Sequence, residues 1–532
     1  MKKALVLMIA LAGLAVTASA QSYKITLIPQ KAKCEKYYMG QHFRDKFNIV
    51  DSATLTNGQI VFEGKKIADG IYALLNSDKK KMFDFTIDDS RKYSINFDTN
   101  CSNKGMVVKG SKSCQLMYEY MAKMDYGRSR SREINNLRKT DTAQARKQME
   151  KLSKEMETYI ADYQKNNSKY LFARLVKMFD NIAVPDTIPA DSKMTNLGEW
   201  QAIYHRTHYW DNVDFSDHEL IYTPQMFDKM NLYFYGVLYY QDCDTITRYA
   251  DMILHRLEKD STWLRYFLEY ITPKYERATK HVGWDQVFVN LVNTYYLQGK
   301  CPWATEAEIY SKRNTVAYLS HSLIGAVGQE ILMPDSNQTS DANQWISSHR
   351  FPQRYVIIWI WDPDCHHCQE QSEALKILYD SLAADGFKPF EVYAIGYEAD
   401  VKKWKNYIRT HKFPFVNVGG SNVNIDYQEA YNVHGAPTMI LLDPDRRIIM
   451  NKTLPAKSIL DFIDRYEQEH PEVVTKVTPW MMAGGYNQEF AAKEQAWRAK
   501  NAQLKKQKEE EKAKADAEQE KSSKKKSKTK KH

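Results

Sequence analysis

Two cysteines stand three residues apart in the segment Trp361-Asp362-Pro363-Asp364-Cys365-His366-His367-Cys368-Gln369. A helical turn brings side chains at that spacing together, so such a pair at a helix start can close into a small disulfide ring. Cys365 would sit at the N-terminal end, where free backbone N–H groups and the helix dipole stabilise a thiolate. Cys368, one turn further in, would be more shielded. The expected division of labour follows: Cys365 attacks or is attacked, and Cys368 resolves the mixed disulfide. Other chemistries for the same residues are open to different degrees. Haem attachment needs His directly after the second cysteine, and Gln369 stands there. Thiolate and imidazole would suit Cu(I) or Zn(II), but no second ligand pair is evident to complete a metal module.

The pair needs a strand behind it and a helix in front of it. Tyr355 to Trp361 is a continuous apolar run, as a strand buried on both faces requires. Gln369 to Leu382 reads as a helix, Phe390 to Ile395 as a second strand and Val401 to His411 as a second helix. Thr438 to Leu442 and Arg447 to Met450 read as third and fourth strands, the last antiparallel after the turn Asp443-Pro444-Asp445. Ser458 to Glu469 closes the region as a helix. Residues 311–475 therefore have α/β architecture.

The motif and the later Gly435-Ala436-Pro437-Thr438 resemble those of exported TlpA/ResA-type thioredoxin-like thiol–disulfide oxidoreductases, over about residues 322–470. The resemblance implies a thioredoxin fold, no bound cofactor, and protein thiols or disulfides as clients. It implies a separate membrane-linked partner for electrons. It also implies a cis peptide bond before Pro437, with Ala436 offering backbone groups beside Cys365 where a client strand can pair. A glutamate after the second core strand aligns with Glu398, which could relay a proton to or from Cys368. Trp361, His366 and His367 are expected on the client-binding side. There are departures. Family members often carry Trp directly before the first cysteine, where this chain has Asp364. Asp364 would oppose a thiolate, and a protonated His366 or His367 would favour it. Ile358 and Asp362 occupy the offsets where a thiol peroxidase would carry its Pro and Thr, so that chemistry is not expected.

The remaining chain sets context. Of 532 residues, 43% are apolar and 27% charged, near the globular average and ample for several cores. The net charge of +9 is local: residues 21–492 hold 58 basic and 59 acidic side chains. The excess sits in the last forty residues, and the final twelve carry seven Lys and no acid. This Lys-rich tail, within 476–532, is expected to be solvated or to adhere to an anionic envelope surface. Nothing in it resembles nucleic-acid readout. Lys2 and Lys3, the apolar run Ala4–Val16 and Ala18-Ser19-Ala20 read as a cleaved secretory signal over residues 1–20. Gln21 rather than Cys follows, so the protein is expected in the periplasm or envelope without a lipoprotein anchor. Residues 21–110 alternate polar and apolar in short runs (Tyr23–Ile28, Gln59–Glu63, Met82–Ile87, Tyr93–Asp98), suggesting a small β-sandwich. Residues 111–310 switch to helical spacing and are rich in aromatics. His205, His208, His218 and His255 match no zinc spacing, and Cys34, Cys101, Cys114, Cys243 and Cys301 are too scattered for a disulfide scaffold. The expected class is thus multidomain α+β: β-sandwich, helical middle, thioredoxin fold. A non-enzymatic envelope binding protein with a vestigial redox loop is the competing reading, kept open by the large aromatic helical region.

Overall fold

The computed structural model describes residues 22–31, 35–98, 100–239, 241–276, 281–336, 345–397 and 400–528, with 508–509 and 511–528 by their backbone only. The expected leader, Cys34, Glu398 and the last four residues lie outside the described residues. The chain divides into two compact units: one runs to Gln241 and adds Arg248–Leu268, the other holds Asp242–Thr247 and everything from Glu269.

The first unit opens with strands β1 (Tyr23–Pro29), β2 (Lys36–Phe43), β3 (Lys46–Thr56), β4 (Gln59–Gly64), β5 (Gly70–Leu75), β6 (Lys81–Ile87), β7 (Lys92–Phe97) and β8 (Val107–Lys109). They form one hydrogen-bonded sheet, ordered β6-β5-β2-β3-β4-β1-β7-β8. β1 pairs β7 in parallel, and the other pairings are antiparallel. Long β3 is shared, pairing β2 along most of its length and β4 at its end. β1 alternates buried and exposed residues as a half-buried strand must, whereas β5 is buried at all six positions. Helices α1 (Lys112–Leu137), α2 (Thr142–Asn167), α3 (Leu171–Met178), α4 (Leu197–His208) and α5 (Pro224–Leu232) follow, each of α1, α2, α4 and α5 capped by a Ser, Asp, Asn or Thr side chain. Helices α6 (Cys243–Leu257) and α7 (Ser261–Glu276) contribute residues to both units.

The second unit continues with α8 (Trp284–Leu291) and α9 (Glu306–Ser320), the latter started by a capping box of Thr305 and Glu308. Short strands β9 (Leu332–Pro334) and β10 (Trp345–Ser347) pair antiparallel. The central elements are β11 (Tyr355–Trp361), α10 (His366–Ala384), β12 (Phe390–Gly396), α11 (Val401–His411), β13 (Val416–Gly419), α12 (Tyr427–Ala430), β14 (Thr438–Leu442), β15 (Ile448–Met450) and α13 (Ile459–Glu469). The sheet order is β13-β12-β11-β14-β15; β11, β12 and β13 are parallel, and β14 runs against β11.

β11 shows why this unit folds as it does. Tyr355, Ile357, Trp359 and Trp361 enter one apolar cluster with α10, α11 and α13, while Val356, Ile358 and Ile360 enter a second with β9, β10 and α12. Both faces of one strand are filled with period two. The fold class is therefore mixed: a β-rich N-terminal region, a helical middle and a C-terminal thioredoxin-like α/β region.

Structure continues beyond residue 475, where a charged tail was expected. Helices α14 (Pro479–Ala483) and α15 (Gln488–Lys528) follow. Phe490 and Trp497 pack on Phe387 at ring distances of 5.2 and 5.6 Å. Glu494 forms a buried ion pair with Arg354. Two aromatics and one acid with a buried partner thus dock a helix whose composition is otherwise that of a solvated segment. Among the described residues no helix is long and apolar enough to cross a membrane.

Candidate active site

β11 stops at Trp361 because Asp362-Pro363-Asp364 turns the chain. The Asp362 side chain accepts the Asp364 N–H at 2.7 Å, and its carbonyl accepts the Cys365 N–H at 3.2 Å. Cys365 is the N-cap residue of α10, with φ −87° and ψ 111°. Its sulfur takes the place of the usual capping oxygen, accepting the backbone N–H of Cys368 at 3.3 Å. α10 is held to β11 by the Trp359 indole N–H, which donates to Ser372 Oγ at 2.9 Å.

The two thiols lie within hydrogen-bonding reach of each other, and neither is part of a disulfide. Cys365 is partly exposed, and Cys368 is fully buried. Burial pushes the Cys368 thiol up to about 12, and its hydrogen bond to Cys365 adds to the shift. An outer sulfur open to a visitor and an inner sulfur kept protonated is the asymmetry that a two-step exchange requires.

The register of β14 brings the second motif to the same place. Thr438 pairs with Ile360, so the residues before Thr438 run alongside the turn after β11. The Ala436–Pro437 peptide bond is cis. The Ala436 carbonyl lies 3.9 Å from the Cys365 sulfur, within reach of its thiol. Thr438 Oγ1 donates to the Gly435 carbonyl at 2.7 Å and fixes the loop. A Cβ at Gly435 would meet nothing within 4 Å, so the loop backbone faces open space.

Cys365, Cys368, Ala436 and Pro437 are therefore gathered. His366 and His367 are solvent-exposed on the first turn of α10, both near Glu370, at 3.3 and 3.6 Å. Trp361 is a correction: expected on the client side, it has no exposed surface. Its ring packs against Tyr407 and Phe413, because β11 is buried on both faces and its odd-numbered positions enter the cluster formed with α10, α11 and α13. Glu398 falls outside the described residues. Sequence reasoning did not see that Lys403, on α11, pairs with Asp364. The carboxylate beside Cys365 is thereby partly neutralised, and only the fold reveals that partner. Asp362 also acts on Cys368, its backbone hydrogen bond drawing the thiol down and its charge pushing it up; an acid inside the motif was the available signal. Among the described residues no group of three or more His, Cys, Asp or Glu is arranged as metal ligands would be.

Residues 353–448 match the thioredoxin-like family model. Residues 23–117 and 138–299 match two domains of unknown function, DUF4369 and DUF5106. No curated protein matches the chain. Among solved structures, a thioredoxin-like protein from Bacteroides caccae is 19% identical, covering 53% of this chain and 98% of its own, with a TM-score of 0.40. A domain of a possible thiol-disulfide isomerase from Cytophaga hutchinsonii is 26% identical over 28% of this chain and 97% of its own, with a TM-score of 0.24. The thioredoxin domain of a thiol-disulfide oxidoreductase from Bacteroides vulgatus is 21% identical over 27% and 96%, with a TM-score of 0.23. The strand order, the cysteine pair heading α10, the cis-proline loop beside it and the family match agree: residues 353–448 form a thioredoxin-like domain.

Proposed function

We propose that this chain is an exported thiol–disulfide oxidoreductase that exchanges a Cys365–Cys368 disulfide with protein thiols. The observation that carries the reading is the pairing of a partly exposed Cys365 sulfur, capping α10 and 3.9 Å from the Ala436 carbonyl, with a fully buried Cys368. In the reducing direction, the Cys365 thiolate attacks one sulfur of a client disulfide, and the client's other sulfur leaves and takes up a proton. Deprotonated Cys368 then attacks the Cys365 sulfur, and the second client thiol departs. Two electrons pass from the dithiol to the client; the reverse sequence oxidises a client dithiol. The cis-Pro loop, with open space at Gly435 and the Ala436 carbonyl beside Cys365, gives an extended client strand somewhere to pair.

Replacing Cys368 with Ala in the full chain tests this. Mixed disulfides between clients and Cys365 should accumulate on non-reducing gels and vanish with dithiothreitol. A variant that traps nothing, from a parent whose pair never oxidises, would instead identify an envelope binding protein with a silent loop. Export rests on the leader read at residues 1–20. Fractionation should find the chain outside the cytoplasm with that segment removed; retention inside would contradict it. The membrane-linked electron partner follows from the same reading, and its removal should leave the pair in one redox state.

A further inference from the structure

A cavity of about 550 Å³ opens beside the cis-Pro loop, a size typical of ligand sites. One wall is Gly435 and Pro437. α9 also lines the cavity, presenting Thr315, Tyr318 and Leu319, positions three and four apart on a single helix face. Both walls belong to the second unit.

Polar bonds fix the distance between these walls. Asn451, just after β15, donates to Asp285 on α8 at 2.7 Å and to the Ser322 carbonyl after α9 at 2.9 Å. Lys452 lies 3.3 Å from the same Asp285 carboxylate, which is only 3% exposed. In the cavity floor Asp285 and Lys452 thus already have each other as partners, and Asp285 has Asn451 as well, while Glu276 and His434 add one acid and one imidazole to the lining. A charged visitor would find no unsatisfied counter-charge at Asp285 or Lys452. An apolar side chain would find the rings of Tyr318 and Pro437 and the side chain of Leu319. Tyr318 is 53% exposed although it borders a concave site.

We infer that this cavity is a specificity subsite for the client. It takes an apolar or aromatic side chain next to the target cysteine of an extended polypeptide, held between the cis-Pro loop and α9. The inference rests on the redox reading above and names what that reading leaves open. The occupant is polypeptide because the cavity shares Gly435 and Pro437 with the loop whose Ala436 carbonyl lies 3.9 Å from the Cys365 sulfur, and because the open backbone at Gly435 offers main-chain pairing alongside a side-chain pocket. No further chemistry is added: electrons and protons move as in the exchange already described.

The test uses the full chain, reduced with dithiothreitol and freed of it. Its substrates are two disulfide-linked peptides that differ only in Leu or Asp beside the cysteine, with 5,5′-dithiobis(2-nitrobenzoic acid) as a small disulfide. The parent should reduce the Leu peptide about tenfold or more faster than the Asp peptide, the scale an apolar pocket provides. Thr315→Trp, which fills the cavity, and Tyr318→Ala, which removes its wall, should each shrink that preference to about threefold or less. Tyr310→Ala, on α9 and exposed but not lining the cavity, should keep it. An absent preference in the parent, or one that survives both cavity variants, overturns the inference while leaving the redox reading intact. A preference lost equally in Tyr310→Ala also overturns it. A parent that reduces neither the peptides nor the small disulfide defeats the redox reading, and this inference with it.

Discussion

Cys368 carries the clearest electrostatic signature of the pair. Its thiol is held up to about 12 by burial, against an ordinary value of about 9. At neutral pH it is protonated, so the second step of exchange waits for a proton to leave. Release of a trapped client should therefore accelerate about tenfold per pH unit between pH 7 and 9, since the thiolate is the nucleophile. Rapid-quench measurement of the mixed disulfide checks this, and a flat profile would mean that another group takes the proton. Stability follows the same shift. The folded pKa is raised, so the neutral thiol contributes fully below pH 9, and the contribution is lost as pH rises towards 12. The reduced parent should lose more Tm than Cys368→Ala over that interval.

At the scale of elements, α11 shows how tightly the site's supports are packed. The Trp404 ring lies over two glycines, and a Cβ built at Gly396 would come 2.3 Å from its Nε1. Gly396→Ala must displace the indole or bend β12, at a cost of about 1–3 kcal/mol. A lower urea midpoint checks this, and an unchanged midpoint would mean that α11 yields freely. This contact also marks what could be seen in the sequence. β11, β14 and α11 were legible because apolar runs and helical periodicity are local properties, and α11 begins and ends at the expected residues. The cysteine pair and cis-Pro loop were legible because each is a short contiguous motif. Trp361 was misplaced because it is the last residue of a strand buried on both faces, so neither face at that position is open to a client. β2, β3 and β5 went unseen: β5 is buried on both faces and lacks alternation, and β2 and β3 carry many polar residues and take their register from each other. The Asp364–Lys403 pair and the α9 wall join residues distant in sequence, which no local pattern records.

At the scale of the molecule, the second unit extends well past its thioredoxin-like core on the C-terminal side. Arg354 and Glu494 are 5% and 3% exposed at their side chains, and Arg498 bonds both Glu467 oxygens at 2.9 Å. Removing one partner of such a pair strands a buried charge, so Glu494→Ala should cost about 3–5 kcal/mol. Chemical denaturation of the full chain should show this as a downshifted transition; a loss under about 0.5 kcal/mol would mean that α15 is not integral. All of these supports serve one claim, that two sulfurs at the head of α10 are made to bond and unbond reversibly. Equilibration of the full chain in mixtures of reduced and oxidised dithiothreitol, followed by alkylation and mass analysis, tests it directly. The peptide spanning Cys365 and Cys368 should lose two hydrogens in a single reversible transition. Two thiols that stay alkylatable at every oxidant ratio would contradict the account.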